Sequence, residues 1–139
     1  MYLQQAEELI KKHEGLRLKP YRCTAGKLTV GYGRNLEDNG ISKAEAELLL
    51  KNDIQNCYRQ CIGLSCWEKL NEPRRAALLD MCFNLGFTRL KTFKKMLAAL
   101  AQGYYERAAY EMLNSKWATQ VGARAAELAE IMKSGGDPR

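Results

Sequence analysis

The 139-residue sequence contains no apolar run approaching the ~20 residues that a membrane-spanning helix needs; its longest runs are of the order of Met96–Ala101. Glu7 and Glu8 interrupt the start of the chain, where a secretory signal would carry its apolar segment, so the sequence predicts a soluble chain without an export signal. Histidine occurs once, as His13, and no Cys-x-x-Cys pair is present, which removes the usual spacing of zinc ligands. No repeat with a period of about 20–50 residues is visible, which excludes solenoids. Gly31-x-Gly33 lacks the third glycine and following helix of a dinucleotide-binding turn. What remains is 46% hydrophobic and 27% charged, an ordinary globular composition at one domain's length.

Twenty-two lysines and arginines face sixteen acidic residues, a net charge of +6. The excess is spread over both halves of the sequence and forms no basic tail. A diffuse positive field favours polyanionic partners such as nucleic acid, anionic lipid or an acidic cell-wall polymer, and it also serves solubility alone. The five cysteines, Cys23, Cys57, Cys61, Cys66 and Cys82, are odd in number, which fits free thiols better than a disulfide framework. The 57–66 group reads as small buried hydrophobes on helices.

Leu3, Ala6, Leu9, Ile10 and His13 recur at helical spacing, with Gly15 available as a stop. From Leu16 to Arg34 the texture changes. Leu28, Val30 and Tyr32 alternate with Lys27, Thr29 and Gly31 after the turn-like Thr24-Ala25-Gly26, which predicts a small β-hairpin or sheet. Beyond it the chain reads as helix. Ser42-Lys43-Ala44-Glu45 is a capping box opening a helix that runs to about Cys57 or Cys61. Asn71-Glu72-Pro73 opens another, apolar on most sides through Ala77, Leu78, Met81, Cys82 and Leu85 and closing at Gly86, hence buried. Further helices are expected over 93–101, 105–113 and 122–132, with 114–121 as a separator. The fold class is α+β, predominantly α, with a small N-terminal β lobe and a larger helical lobe around a buried central helix.

Glu14 stands at the junction of the first helix and the glycine-bearing strands. A carboxylate at a helix C-terminus meets the negative end of the dipole, and partial desolvation would further favour its protonated form, as a general acid requires. Taken alone, the same residue reads equally as a surface glutamate. Its surroundings are more specific. Glu14-Gly15-x-x-Leu18-x-x-Tyr21, a turn, and then Thr29-x-Gly31-x-Gly33 resemble the active-site region of phage-type lysozymes, the endolysin family (glycoside hydrolase family 24) that includes T-even phage lysozyme. Arg74-Arg75-Ala76-Ala77-Leu78-Leu79-Asp80-Met81, then Phe83-Asn84-Leu85-Gly86, and Ser115-Lys116-Trp117 with Gln120 and Arg124 extend the resemblance over nearly the whole chain, in order.

The resemblance implies a single lysozyme domain over 1–139, with a β-containing lobe at about 14–57 and a helical lobe from 1–13 plus 58–139. It implies hydrolysis of the β-1,4 bond between N-acetylmuramic acid and N-acetylglucosamine in peptidoglycan, with inversion and no cofactor. By position, Glu14 matches the general acid and Thr29 the residue that helps hold the attacking water. Arg34 and Asn35 match the cleft edge, Phe83 and Asn84 the cleft floor, and Glu111 a substrate contact where asparagine is familiar. Arg124 matches an arginine that supports the catalytic glutamate by pairing with it. Cys23 stands where many members carry aspartate, although cysteine there is also familiar. A thiolate stabilised by neighbouring Arg22 could help to activate water, or Cys23 could be an inert turn residue; both readings stand. The family expectation is a monomer made in the host cytoplasm and released to the wall through a holin pore.

Other residues carry plainer expectations: Trp67 and Trp117 in the core, Arg74 and Arg75 snorkelling to the surface, and His13 in packing or in support of a neighbouring site residue. The competing class is a basic helical module that binds cell wall, or nucleic acid, without catalysis. Against nucleic acid, aromatic and basic residues do not interleave on any one predicted face.

Overall fold

In the computed structural model, which describes residues 1–136, helix α1 (Tyr2–Glu14) leads into an antiparallel sheet of β1 (Arg17–Arg22), β2 (Leu28–Gly31) and β3 (Arg34–Asn35). The strands lie in sequence order; Tyr21 faces Thr29, Thr29 faces Asn35, and a bulge separates Arg17 from Tyr21 on β1. A short helix α2 (Leu36–Asn39) follows, then the long α3 (Lys43–Cys61). After a 3₁₀ turn at Trp67–Lys69 come α4 (Glu72–Leu85), α5 (Phe87–Leu90), α6 (Lys94–Gln102), α7 (Tyr105–Leu113), α8 (Lys116–Val121) and α9 (Ala123–Ser134). No helix of the described residues is long and apolar enough to cross a membrane.

The chain divides into two compact units, residues 1–48 and 49–139. Helix α1 therefore groups with the sheet, and the boundary falls inside α3, unlike the 14–57 lobe expected from the sequence.

The first unit has almost no core. Thr29 is the one buried residue between positions 1 and 48, while Leu3, Leu9, Ile10 and Leu18 are exposed. Its order comes from backbone pairing and from polar links that close its turns. Arg22 bonds both the Gly26 carbonyl and the Glu37 carboxylate, and Lys27 bonds Asp38. The capping box forms as the sequence requires: Ser42 N–H donates to Glu45 Oε1 at 2.7 Å, and Glu45 N–H donates to Ser42 Oγ at 3.1 Å. The Glu45 carboxylate also receives both terminal nitrogens of Arg34.

The Arg34 guanidinium, followed by the Ser42 backbone N–H, pulls the Glu45 carboxyl down to about 2 from 4.5. A depressed carboxyl pKa contributes stability that is complete above about 4.5 and is lost as pH falls through about 2. Denaturant unfolding at pH 5 and pH 2 should therefore show a smaller acid-induced loss for Glu45→Gln than for the parent chain. Equal losses would remove this link from the acid response.

The second unit holds the core. Leu78, Met81, Leu90, Met96, Leu100, Met112 and Met132 are fully enclosed, and α9 packs against both α7 and α4. Helix α4 starts and stops where the sequence predicts: Asn71 Oδ1 accepts the Arg74 N–H at 3.0 Å, and Gly86 ends the helix. Trp67 and Trp117 are both buried, as expected.

Several local expectations change. Arg74 does not snorkel; it stacks on Tyr105 and donates to the carbonyls of Met132 and Lys133, satisfying acceptors left open at the end of α9. Arg75 similarly lies over the Trp67 ring and bonds its carbonyl. Residues 116–121 form α8, not a separator, with Ser115 Oγ accepting the Ala118 N–H. Cys66 precedes the 3₁₀ turn and is not on a helix. His13 is exposed, not packed.

Candidate active site

Glu14 is the last residue of α1, and Gly15 ends that helix at φ 72°, donating its N–H to the Lys11 carbonyl at 3.0 Å. The residue is exposed, so the desolvation invoked from sequence is not provided within this structure. Its carboxyl lies against Gly33. A Cβ built on Gly33 would come within 2.8 Å of Glu14 Oε1 and 2.9 Å of Cδ, closer than real Cβ contacts come. Gly33 also has φ 81°, a conformation that L side chains rarely adopt. The backbone conformation favours glycine here, and a methyl group would oblige the Glu14 carboxyl, the end of a flexible side chain, to shift. The sequence reading had not singled out Gly33 as a site residue; a second glycine so soon after Gly31 was the available signal.

Cys23 is half-buried at the turn between β1 and β2. Its N–H donates to the Lys27 carbonyl, and the Gly26 N–H donates to its own carbonyl. The backbone N–H of Lys27, then that of Ala25, lowers the thiol pKa. Arg22, the source of stabilisation proposed from sequence, is instead spent on Gly26 and Glu37. Thr29 is only 3% exposed, more enclosed than the cleft-facing position expected, and its hydroxyl donates to the Lys27 carbonyl at 2.7 Å.

Arg34 and Asn35 have local tasks. Arg34 ties Gly40 and Glu45 together, and Asn35 caps α2 by accepting the Asp38 N–H while donating to the Asp38 carboxylate.

In the second unit, Phe83 is 44% exposed and lines an apolar pocket of about 350 Å³ with Leu50, Ile54 and Leu79. Asp80 and Arg124 complete its wall. Arg124 is paired there: its Nε and Nη2 reach Asp80 Oδ1 at 2.8 and 2.7 Å, so this carboxylate occupies the guanidinium expected to support Glu14. Asn84 accepts the Trp117 indole N–H at 2.6 Å, which fixes the orientation of its amide. Glu111 is held by Arg107 at 2.7 Å and lines a second pocket.

The remaining thiols contrast with Cys23. Burial, the largest cause in each case, pushes Cys57, Cys61 and Cys82 up to about 11, and Cys66 upward as well. Among the described residues, no group of three or more His, Cys, Asp or Glu side chains is arranged to hold a metal ion.

The sequence-expected residues thus fall into two sets. Glu14, Cys23, Thr29, Arg34 and Asn35 lie in and around the sheet of the first unit, and Phe83, Asn84, Glu111 and Arg124 lie on helices of the second. Comparison with known proteins gives this arrangement its context. An endolysin of Acyrthosiphon pisum secondary endosymbiont phage 1 is 33% identical over 130 residues, covering 90% of this chain and 86% of its own. A probable T4-type lysozyme of Dictyostelium discoideum is 24% identical, covering 93% of this chain and 94% of its own. The pre-baseplate central spike protein of Enterobacteria phage T4 is 28% identical over 92% of this chain, which spans only 27% of that larger protein. The phage lysozyme family model matches residues 11–131, a stretch that includes the helix–sheet junction, the capped central helix and the helices packed on it; the chain belongs to the phage lysozyme family.

Proposed function

We propose that this chain is a muramidase that hydrolyses the β-1,4 bond between N-acetylmuramic acid and N-acetylglucosamine in peptidoglycan, with inversion. The observation that carries this reading is the Glu14 carboxyl at the end of α1, lying against the left-handed Gly33 just beyond β2. Glu14 delivers its proton to the leaving glycosidic oxygen, while water attacks from the opposite face of the sugar ring. The Thr29 hydroxyl already donates to Lys27, so its oxygen is left to accept a hydrogen from that water and orient its lone pair. A Cys23 thiolate, stabilised by backbone N–H groups, supplies negative charge toward the proton the water loses. Phe83, Asn84 and Glu111 contact the glycan, and the locally bonded Arg34 and Asn35 shape the edge of the cleft. The chain acts as a monomer on bacterial peptidoglycan, reaching it from the host cytoplasm through a holin pore.

The test is product analysis on purified sacculi. Borohydride reduction of the released fragments should yield muramitol ends, and the anomer observed early in the reaction should be α. Glucosaminitol ends would indicate a different glycosidase, and binding without new reducing ends would indicate a wall-binding module.

Gly33→Ala should reduce wall clearing, because its methyl group obliges the Glu14 carboxyl to shift from its position against this residue. The left-handed backbone adds a stability cost of about 1–2 kcal/mol, read by denaturant unfolding. A folded Gly33→Ala chain with parental clearing would show that the close contact does not matter.

A further inference from the structure

The second pocket, about 460 Å³ and open to solvent, lies wholly within residues 49–139. Four cationic side chains line it: Arg89, Lys94, Lys95 and Lys116. None of the four has an ion-pair partner among the described residues. The carboxylate in its wall, Glu111, is already neutralised by Arg107 at 2.7 Å. Phe93 and Trp117, packed edge to face, supply an apolar side to the same pocket. Concentrating four unpaired like charges in one concavity opposes folding through mutual repulsion, and a bound anion relieves it. Three of the four are lysines, compact charges on flexible stems, without the planar fork that matches a carboxylate.

We propose that this pocket binds phosphate groups carried on the sugar or polyol units of an envelope glycopolymer. A phosphomonoester carries up to about two negative charges on one group, and successive phosphodiesters of a polymer bring several single charges together, which suits four cations at one site. The aromatic wall takes the apolar face of the adjoining sugar or polyol. Such a site retains the enzyme at the envelope through groups that are not cleaved. The inference rests on the muramidase reading for its location at the envelope, but binding to a polymer without muramyl bonds is measurable independently of cleavage.

The experiment compares three full-length chains. One is the parent. The second carries Arg89→Gln, Lys94→Gln, Lys95→Gln and Lys116→Gln. The third carries Lys19→Gln, Lys43→Gln, Lys51→Gln and Lys133→Gln, four exposed and unpaired lysines elsewhere, and so loses the same net charge. Circular dichroism checks that all three are folded. Each is titrated calorimetrically with glycerol-phosphate teichoic acid, deacylated lipopolysaccharide, polyglutamate and a single-stranded oligonucleotide at fixed salt. The parent should bind one or both phosphorylated glycopolymers, and whichever arm binds identifies the source of the phosphate. The pocket variant should lose about tenfold or more in affinity, whereas the matched variant should stay within about threefold of the parent. Equal losses in both variants, no binding to either glycopolymer, or equal binding of polyglutamate or the oligonucleotide would overturn the proposal. If sacculi are not cleaved while glycopolymer binding follows this pattern, the muramidase reading fails and the phosphate site stands.

Discussion

Glu14→Gln should clear peptidoglycan suspensions about 10²–10⁴-fold more slowly than the parent chain. The amide keeps the shape of the side chain that lies on Gly33 but has no acidic proton to give the glycosidic oxygen. Because Glu14 is exposed, the exchange should leave stability within about 0.5 kcal/mol, so lost activity can be assigned to chemistry. Turbidity decay and chemical denaturation of the same preparations provide both readings. Clearing at the parental rate by folded Glu14→Gln would take the acid role away from this residue.

Cys23 should react with alkylating reagents well before the other four cysteines. Thiols pushed up to about 11, such as Cys57, Cys61 and Cys82, are thiolate in about one molecule in ten thousand at pH 7, and burial shields them further. Cys23 is half-buried, and its pKa is lowered by the Lys27 and Ala25 N–H groups. Peptide mapping after brief maleimide treatment should therefore find the label at Cys23, together with loss of muralytic activity. Cys23→Ser should resist that inactivation, and its own activity reports the contribution of the thiolate. Cys23→Asp should keep or raise activity, since aspartate is ionised at neutral pH. A fully active Cys23→Ser, with labelled parent equally active, would make the thiol a bystander and leave water activation to Thr29.

Much of the helical unit was legible from the sequence because its signals are short-range. The Asn71 cap, like the Ser42–Glu45 box in the first unit, links residues three positions apart, and both form as written. Helix α7 runs over Tyr105–Leu113, the stretch its periodicity predicts. The short α2, α5 and α8 were missed because four to six residues are too few to show a period. Ser115, which caps α8, was the one usable signal for it. At the site, the motif picked out Glu14, Cys23 and Thr29, but it misassigned the cause of the Cys23 shift by looking to the adjacent arginine. The relevant donors are backbone groups, which a sequence of side chains does not display.

The sequence by itself determined the capped and glycine-stopped ends of the longer helices, which helix is buried, and which residues carry the lysozyme motif. Caps, glycine stops and apolar spacing act within a turn or two of chain, so they are present in the order of the residues. Only the tertiary structure decided the pairings across long stretches. Arg74 reaches carbonyls 58 and 59 residues away, and Arg124 reaches Asp80 across 44. Glu14 likewise meets Gly33 from the far side of a hairpin, and Arg89, Lys94, Lys95 and Lys116 come to line one pocket from α5, α6 and α8. The physical reason is that a charge or hydrogen-bond donor commits to whichever partner the folded chain brings within a few ångströms, and that partner depends on the path of the backbone between them.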